Sequence, residues 1–389
     1  MNVTFSLSSL ELSSRLQILS KVISGKNGMS ILDCFLVEIA SNTLKITASD
    51  GDNTLIASVG LTDSSSDFKF AINAKNLLDA IKSLPEQPIS FEVDSENFKT
   101  IIHYQNGYIS LIGQNADEYP KNSIAEGEQS VQFKVNSELL LESLNRALSS
   151  VSTDTTHMIM TGVLFDITDT DISIVASDGR KLVYTRFPNT DGIAAGNYVL
   201  PSKPALLLKS ILGKDNDEVT IQFSERRAII GMNGYALSSL LLEGLFPPYN
   251  KVVPENNPYH LTLNREAFTS LLNRVLCVVS DTKLALVRIH IESDKIVTRV
   301  QNLDYSLSAE ESMNCDYDGM PMNIGFKGNV LQEFMRNTDS ENIELQIADQ
   351  SRAVVIVPSP QPNTVKDENG EILHPEQITM LLMPSATND

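Results

Sequence analysis

Cysteine occurs three times and histidine five times in 389 residues, and neither falls into a cluster. Cys34, Cys277 and Cys315 lie too far apart in sequence for a disulfide framework or a zinc knuckle, and they suit a reducing cytoplasm. The histidines have no metal-ligand spacing, so neither a metal nor another cofactor is expected. Long apolar runs are also lacking. No stretch reaches the roughly 18 residues of a membrane span. The opening MNVTFSLSSLELSSRLQ has neither the basic flank nor the unbroken apolar run of a secretion signal. A cytoplasmic protein without a membrane partner is therefore expected. Positive charge is scarce: 30 Lys and Arg face 49 Asp and Glu, for a formal net charge of -19. Taken alone, that balance argues against a nucleic-acid partner, because such proteins are usually basic. What remains is an ordinary globular composition, 42% hydrophobic and 20% charged, at a length that suits about two to four domains.

The chain is built in copies. FSLSSLELSSRLQILSKVIS from Phe5, FKVNSELLLESLNRALSSVS from Phe133 and LTLNREAFTSLLNRVLCVVS from Leu261 align without gaps at steps of 128. Each segment opens on alternating residues and turns into an amphipathic helix. Its apolar stripe is Leu12, Leu16, Leu19 and Ile23, then Leu140, Leu144, Ala147 and Val151, then Phe268, Leu272, Val275 and Val279. Spacings of four, three and four residues mark one helical face. A second helix recurs at NAKNLLDAIKSL, PSKPALLLKSILG and FKGNVLQEFMRN, where Lys75, Lys203 and Lys327 come into register. Strand-like runs separate and follow the helices. Asn106-Gly107-Tyr108 and Asn233-Gly234-Tyr235 read as repeated hairpin turns. The segment Ala-Ser-Asp-Gly stands at Ala48 and again at Ala176, at equivalent strand ends; in the third copy Asn302, Leu303 and Asp304 have drifted from it. The expected fold is α+β, with domains 1–128, 129–256 and 257–389, each having two helices packed on antiparallel sheets.

Charge is distributed unevenly. The six helix segments hold twelve basic and six acidic residues, so the rest of the chain is more acidic than the average. Cations favour exposed helix faces in any protein, yet a reversal of sign over six helices points to one shared basic surface. Its candidates are Lys75, Lys82, Arg146, Lys203, Lys209, Arg265 and Arg274. A globule of this size is roughly 36 Å across, and three in a ring leave a gap of only about 6 Å. Six leave a hole about one globule wide, enough for duplex DNA at roughly 20 Å. A head-to-tail dimer of three-copy chains would make such a ring, basic within and acidic outside.

Together the threefold repeat, ASDGRKLV in the second copy, LLEGLFPPYNKVVP at its end and LLMP near the C-terminus make the chain resemble the bacterial sliding clamps, the beta subunits of DNA polymerase III. The resemblance covers essentially the whole chain. It implies a head-to-tail homodimer, a six-domain ring around duplex DNA that binds without regard to sequence. No catalytic residues are implied. It also implies a peptide pocket between the second and third domains that tethers the replicative polymerase subunit, the clamp loader and repair polymerases. Carried over by position, the pocket comprises Met160, Ser177, Gly179, Arg180, Lys181, Leu182, Pro247, Lys251, Val252, Leu381, Met383 and Pro384. Lys26 matches a DNA-contacting position, and Ile109, Leu111, Val278 and Val279 match the dimer interface. The chain departs from the family pattern in continuing SATND after Pro384, in the long polar loop within 358–375, and in having Ser30 where a proline is common.

Two rival readings compete. Asp50 and Asp178 would be the paired carboxylates or metal ligands of an enzyme, but Asp-Gly after a strand is usually turn chemistry and no His or Glu accompanies either. A repeat-built scaffold that binds only proteins would share the pocket and lack the basic bore.

Overall fold

A computed structural model describes residues 2–23, 25, 28–120, 130–213, 217–232, 234–279, 285–302, 306–361, 365–366, 372–373 and 376–386. The α-helices are α1 (Ser9–Leu19), α2 (Ala74–Lys82), α3 (Ser137–Leu148), α4 (Ser202–Lys209), α5 (Arg265–Leu276) and α6 (Gly328–Arg336). The apolar stripes set their faces. Leu12, Leu16 and Leu19, then Leu140, Leu144 and Ala147, then Phe268, Leu272 and Val275 are all buried. The fourth members Ile23, Val151 and Val279 lie past the helix ends and are only half-buried. Asparagine starts one helix of each copy: Asn73 accepts from the Asn76 amide, Asn136 from Glu138 and Leu139, and Asn264 from Ala267. Each cap satisfies amides that lack an intrahelical partner. Pro204 lies in the first turn of α4, where a missing N–H is harmless. None of the described helices is long and apolar enough to cross a membrane.

Every pairing among the described strands is antiparallel. The strand before the first helix of a copy pairs with the strand after the second: Asn2–Ser8 with Pro88–Asp94, Ser130–Asn136 with Glu218–Ser224, and Tyr259–Asn264 with Asn342–Ile347. Between the helices runs a meander. It is Cys34–Ala40, Thr43–Ser49 and Asn53–Gly60 in the first copy. In the second it is Gly162–Ile167, Asp171–Ser177 and Lys181–Pro188. In the third it is Leu286–Ile291, Lys295–Asn302 and Leu307–Asn314. The last strands of the copies are Gly107–Gln114, Tyr235–Leu240 and Gln377–Leu382.

Successive copies are joined through their sheets. The third meander strand of one pairs with the last strand of the next, Asn53–Gly60 with Tyr235–Leu240 and Lys181–Pro188 with Gln377–Leu382. Main-chain hydrogen bonds thus run across each repeat boundary. The chain gathers into two compact units, Met1–Leu141 with Lys203–Leu241 and Glu142–Ser202 with Leu242–Asp389, and the middle copy contributes strands to both. One unit carries a 13-stranded sheet, the other a 9-stranded and a 4-stranded one.

Register corrects two equivalences that the letters suggest. The strands of the first two copies keep the step of 128, as in Ile102↔Ile109 and Ile230↔Leu237. The two Asn-Gly pairs stand 127 apart and are not equivalent. Gly107 is already paired in its strand with Tyr104, whereas Gly234 sits in the turn between the paired Met232 and Tyr235, at φ +73. Lys75 and Lys203 are each the second residue of their helix, but Lys327 is the cap before α6. The counterpart of Lys327 is Asn73, and Asn329 stands where Lys75 and Lys203 do. A helix start is fixed by its cap and buried face, so a lysine can slip by two positions without disturbing either. Leu303, Asp304 and Lys26 fall outside the described residues. Within the polar loop, Val365–Lys366 pairs with Ile372–Leu373.

Candidate functional site

The two Ser-Asp-Gly turns are built alike. Asp50 Oδ1 accepts the amides of Asp52 (3.1 Å) and Asn53 (2.7 Å), and Asp178 Oδ1 accepts those of Arg180 and Lys181, both at 2.9 Å. Ser49 and Ser177 accept the amides of Gly51 and Gly179. Both glycines lie in the left-handed region, at φ +99 and +83, where a side chain would be strained. Each aspartate therefore shapes its own turn. Among the described residues no group of three or more His, Cys, Asp or Glu could hold a metal ion.

The surroundings of the turns differ. At the first, Lys203 Nζ lies 2.5 Å from Asp50 Oδ2 and donates to the Val22 carbonyl at 2.7 Å. Burial pushes the Asp50 carboxyl up, but hydrogen bonds from Lys203 and Asn53 outweigh it and hold the group below the ordinary carboxylate range. At the second, a cavity of about 510 Å³ opens. It is lined by Asp178, Gly179, Arg180 and Lys181 of the turn, by Lys327 and Val330 at the start of α6, by Leu382 at the end of the last strand and by Met383 to Ala386 after it. That closing segment is tied down by its backbone: Met383 N donates to Arg180 O (3.0 Å) and Ser385 N to Gly325 O (2.8 Å). The floor is aliphatic, and the rim carries three cations and the Asp178 carboxylate.

Of the pocket residues expected from the sequence, Gly179, Arg180, Lys181, Met383 and Pro384 meet in this cavity. Lys181 reaches down from the rim, its Nζ donating to the Ser149 carbonyl and lying 3.9 Å from Glu333. Ser177 supports the turn by donating to Lys181 O. Met160 is half-buried beside Gly179, its Cε 3.9 Å from where a β-carbon would stand. Leu182 and Leu381 face one another across the strand pair, and both are buried in a small apolar core with Tyr249. Neither is among the residues that line this cavity. Pro247, Lys251 and Val252 are exposed on the segment around Tyr249 and do not line the cavity, while Tyr249 anchors that segment by donating to Asp166 (2.8 Å). Lys327 and Val330 were not expected from the sequence. The signal was present in the lysine that heads the second helix, but the two-position slip concealed its place.

The expected basic surface is thinner than the residue count implied. Arg146 is the clearest correction: it is only 2% exposed. Its guanidinium donates to Glu142 (2.8 Å) and to the Asn337 carbonyl (3.1 Å), and it lies 3.7 Å from Glu376. A buried arginine held by carboxylates does not present its charge to a phosphate. Arg265 donates to the carbonyls of Ser340 and Met335, and Arg274 makes a two-pronged pair with Glu311. Lys203 is bound to Asp50. Lys75, Lys82 and Lys209 are exposed and make no ion pair among the described residues. Ile109 and Leu111 are half-buried on the strand Gly107–Gln114, whose alternate residues Tyr108 and Ile112 are exposed. Val278 and Val279 follow α5 and pack against the core of the third copy.

Comparison with known families agrees with this architecture copy by copy. Residues 3–123 match the N-terminal domain of the DNA polymerase III beta subunit, 134–248 its central domain and 250–368 its C-terminal domain. The chain is 23% identical over 351 residues to the beta sliding clamp of Halalkalibacterium halodurans, covering 87% of this chain and 92% of that one. It is 22% identical over 344 residues to that of Escherichia coli K12, covering 88% and 92%. Among solved structures, the beta subunit from the DNA polymerase of Streptococcus pyogenes superposes with a TM-score of 0.88 at 20% identity, over 99% of this chain and 100% of that one. The sliding clamp of Bacillus subtilis gives 0.87 at 20% identity over the full length of both.

Proposed function

Because the chain belongs to the DNA polymerase III beta subunit family, the bacterial sliding clamps, and is a DNA polymerase processivity factor, we propose how it performs that task. It acts in the cytoplasm as a non-catalytic, head-to-tail homodimer whose domains, 1–128, 129–256 and 257–389 of each chain, close as two sets of three into a ring around duplex DNA. The pocket at Asp178 tethers the replicative polymerase subunit, the clamp loader and repair polymerases through short peptide segments.

One observation carries the ring. Within the chain, each boundary is sealed by the third meander strand of one copy against the last strand of the next. Two strands of those classes are left over. Leu307–Asn314 ends its sheet, and Gly107–Gln114 meets Phe68–Asn73 only at Ile72↔Gly113 and Ala71↔Gln114. If they pair between two chains as their counterparts do within one, Ile109 falls opposite the partner's Ala309 and Leu111 opposite the partner's Leu307. Two such seams close two chains and leave no strand of these two classes unmatched. The first boundary also suggests a role for Lys75. Lys203 reaches the carbonyl of Val22, whose counterpart is Val278, so Lys75 would reach the partner's Val278 rather than DNA. That leaves few exposed cations for the bore, Lys82 and Lys209 among them. Retention then rests on encirclement and not on adhesion, whose affinity falls steeply with salt.

The test is to load the protein enzymatically onto nicked circular DNA, raise the salt and cut the circle once. The loaded protein should remain on intact circles at a salt concentration that abolishes simple binding, and leave after linearisation. Loss from intact circles while the protein is still dimeric would overturn encirclement.

A further inference from the structure

The cations at the rim of the pocket are not required by the turn that carries them. Strand register and helix starts place Arg180 opposite Asp52 of the first copy, Lys181 opposite Asn53, and Lys327 opposite Pro201. The first turn folds around its aspartate in the same way without any of the three. Their charge at the second turn therefore has another cause. Lys181 is engaged with Ser149 and Glu333, and Asp178 Oδ1 is occupied by the turn amides. Arg180 and Lys327 remain, exposed, lining the cavity and making no ion pair among the described residues. Below them lie Val330, Leu382 and Met383.

We propose that this pocket selects linear peptides that carry a carboxylate beside an apolar anchor, and that Arg180 and Lys327 set the selectivity. The proposal rests on the reading of the cavity as a peptide-tethering site and adds the charge of its occupant. The aliphatic floor takes the anchor side chain by burial, which fixes that a peptide binds. A carboxylate within reach of the guanidinium and the ammonium adds a charge-assisted contact, which fixes which peptide binds. A lysine-bearing peptide meets two like charges at the same place and is rejected.

A randomised dodecapeptide display library panned against the whole protein tests this, with counter-selection on Met383→Ala so that only pocket-dependent sequences survive. The survivors should be enriched in Asp and Glu. With Arg180→Glu and Lys327→Glu combined, the enrichment should pass to Lys and Arg. For a recovered peptide, replacing its acidic residue by the amide should weaken binding about fivefold at low salt, the upper end for an exposed ion pair, and far less near 1 M salt. Met383-dependent peptides with no charge bias, unchanged by the double reversal, would overturn the selectivity and leave the tethering site standing. If no Met383-dependent peptide is recovered, both ideas fail together.

Discussion

The boundary at Asp50 and the boundary at Asp178 descend from one plan and have opposite outcomes. Both have the same turn, the same capping carboxylate, the same left-handed glycine and the same strand pairing across the repeat boundary. At the first, a lysine from the next helix fills the gap and is held by Asp50 and the Val22 carbonyl. At the second, Asn329 stands in that lysine's place, and a cavity is left open. One plan thus yields a filled gap at the first boundary and an open cavity at the second. The proposed boundary between chains would be a third case of the same plan.

The largest effect should come from breaking that third boundary. Leu307 is nearly half exposed in the single chain, so Leu307→Asp should leave the fold intact. By the proposed register it places a charge against the partner's Leu111. Light scattering should show monomers, and processive synthesis should be lost. Adding Leu111→Lys should restore some dimer through the new ion pair. A normal dimer in Leu307→Asp would mean that the register is wrong.

Next comes a device that only the second boundary has. Arg146→Ala removes the guanidinium from between Glu142, Glu376 and the Asn337 carbonyl. Breaking a buried charge pair of this kind costs about 3–5 kcal/mol. Its counterpart in α1 is the half-buried Ile18, where Ile18→Ala should cost about 1 kcal/mol. Urea unfolding of the two variants measures the gap, and equal losses would contradict the burial of Arg146.

A smaller effect is expected at the filled boundary. Lys203→Met removes the partner of Asp50 at a cost of about 1–2 kcal/mol, reduced because the lysine is partly exposed. The loss should depend on pH. The folded Asp50 carboxyl lies below its unfolded value of about 3.9, so the contribution is full above that range. It fades as pH falls through the lower folded value. Stability curves of wild type and Lys203→Met should therefore converge in acid and separate toward neutral pH. Parallel curves would show that the pair does not matter.

The smallest difference should separate the two glycines. Gly51→Ala and Gly179→Ala each force a side chain into the left-handed region, at about 1 kcal/mol apiece. Nothing lies within 4 Å of a β-carbon at Gly51, whereas at Gly179 it meets Met160 at 3.9 Å. The melting temperatures should fall alike, and only Gly179→Ala should alter peptide affinity.

The repeat, the helices and the turns could be read from the letters, because each is a local pattern. Leu12, Leu16 and Leu19 announce their face within three turns of helix, and Asp178 finds the amides it caps within three residues. What could not be read depends on distant neighbours. Arg146 looked like a surface cation because Glu376 and Asn337 are far from it in sequence, and only the fold brings them together. Leu182 and Leu381 were legible as apolar letters, but their meeting in one small core with Tyr249 is set by a strand register that joins distant segments. Lys327 was found as a letter and misplaced as a position, since the third copy differs in length between elements. Spacing alone cannot tell a slipped lysine from an aligned one.

The two leftover strands also differ in kind. Gly107–Gln114 carries no charged side chain, whereas Leu307–Asn314 carries Glu310 and Glu311 side by side. Arg299 and Arg274 of the same chain pair with those glutamates, so that edge carries ionic pairs while the other is uncharged. The two strand ends are thus chemically unlike, and a seam between unlike ends has a direction. An exposed strand is a template for any passing chain, and head-to-tail contacts that fail to close run on into filaments. Closure of the proposed head-to-tail ring would leave neither strand exposed to such growth.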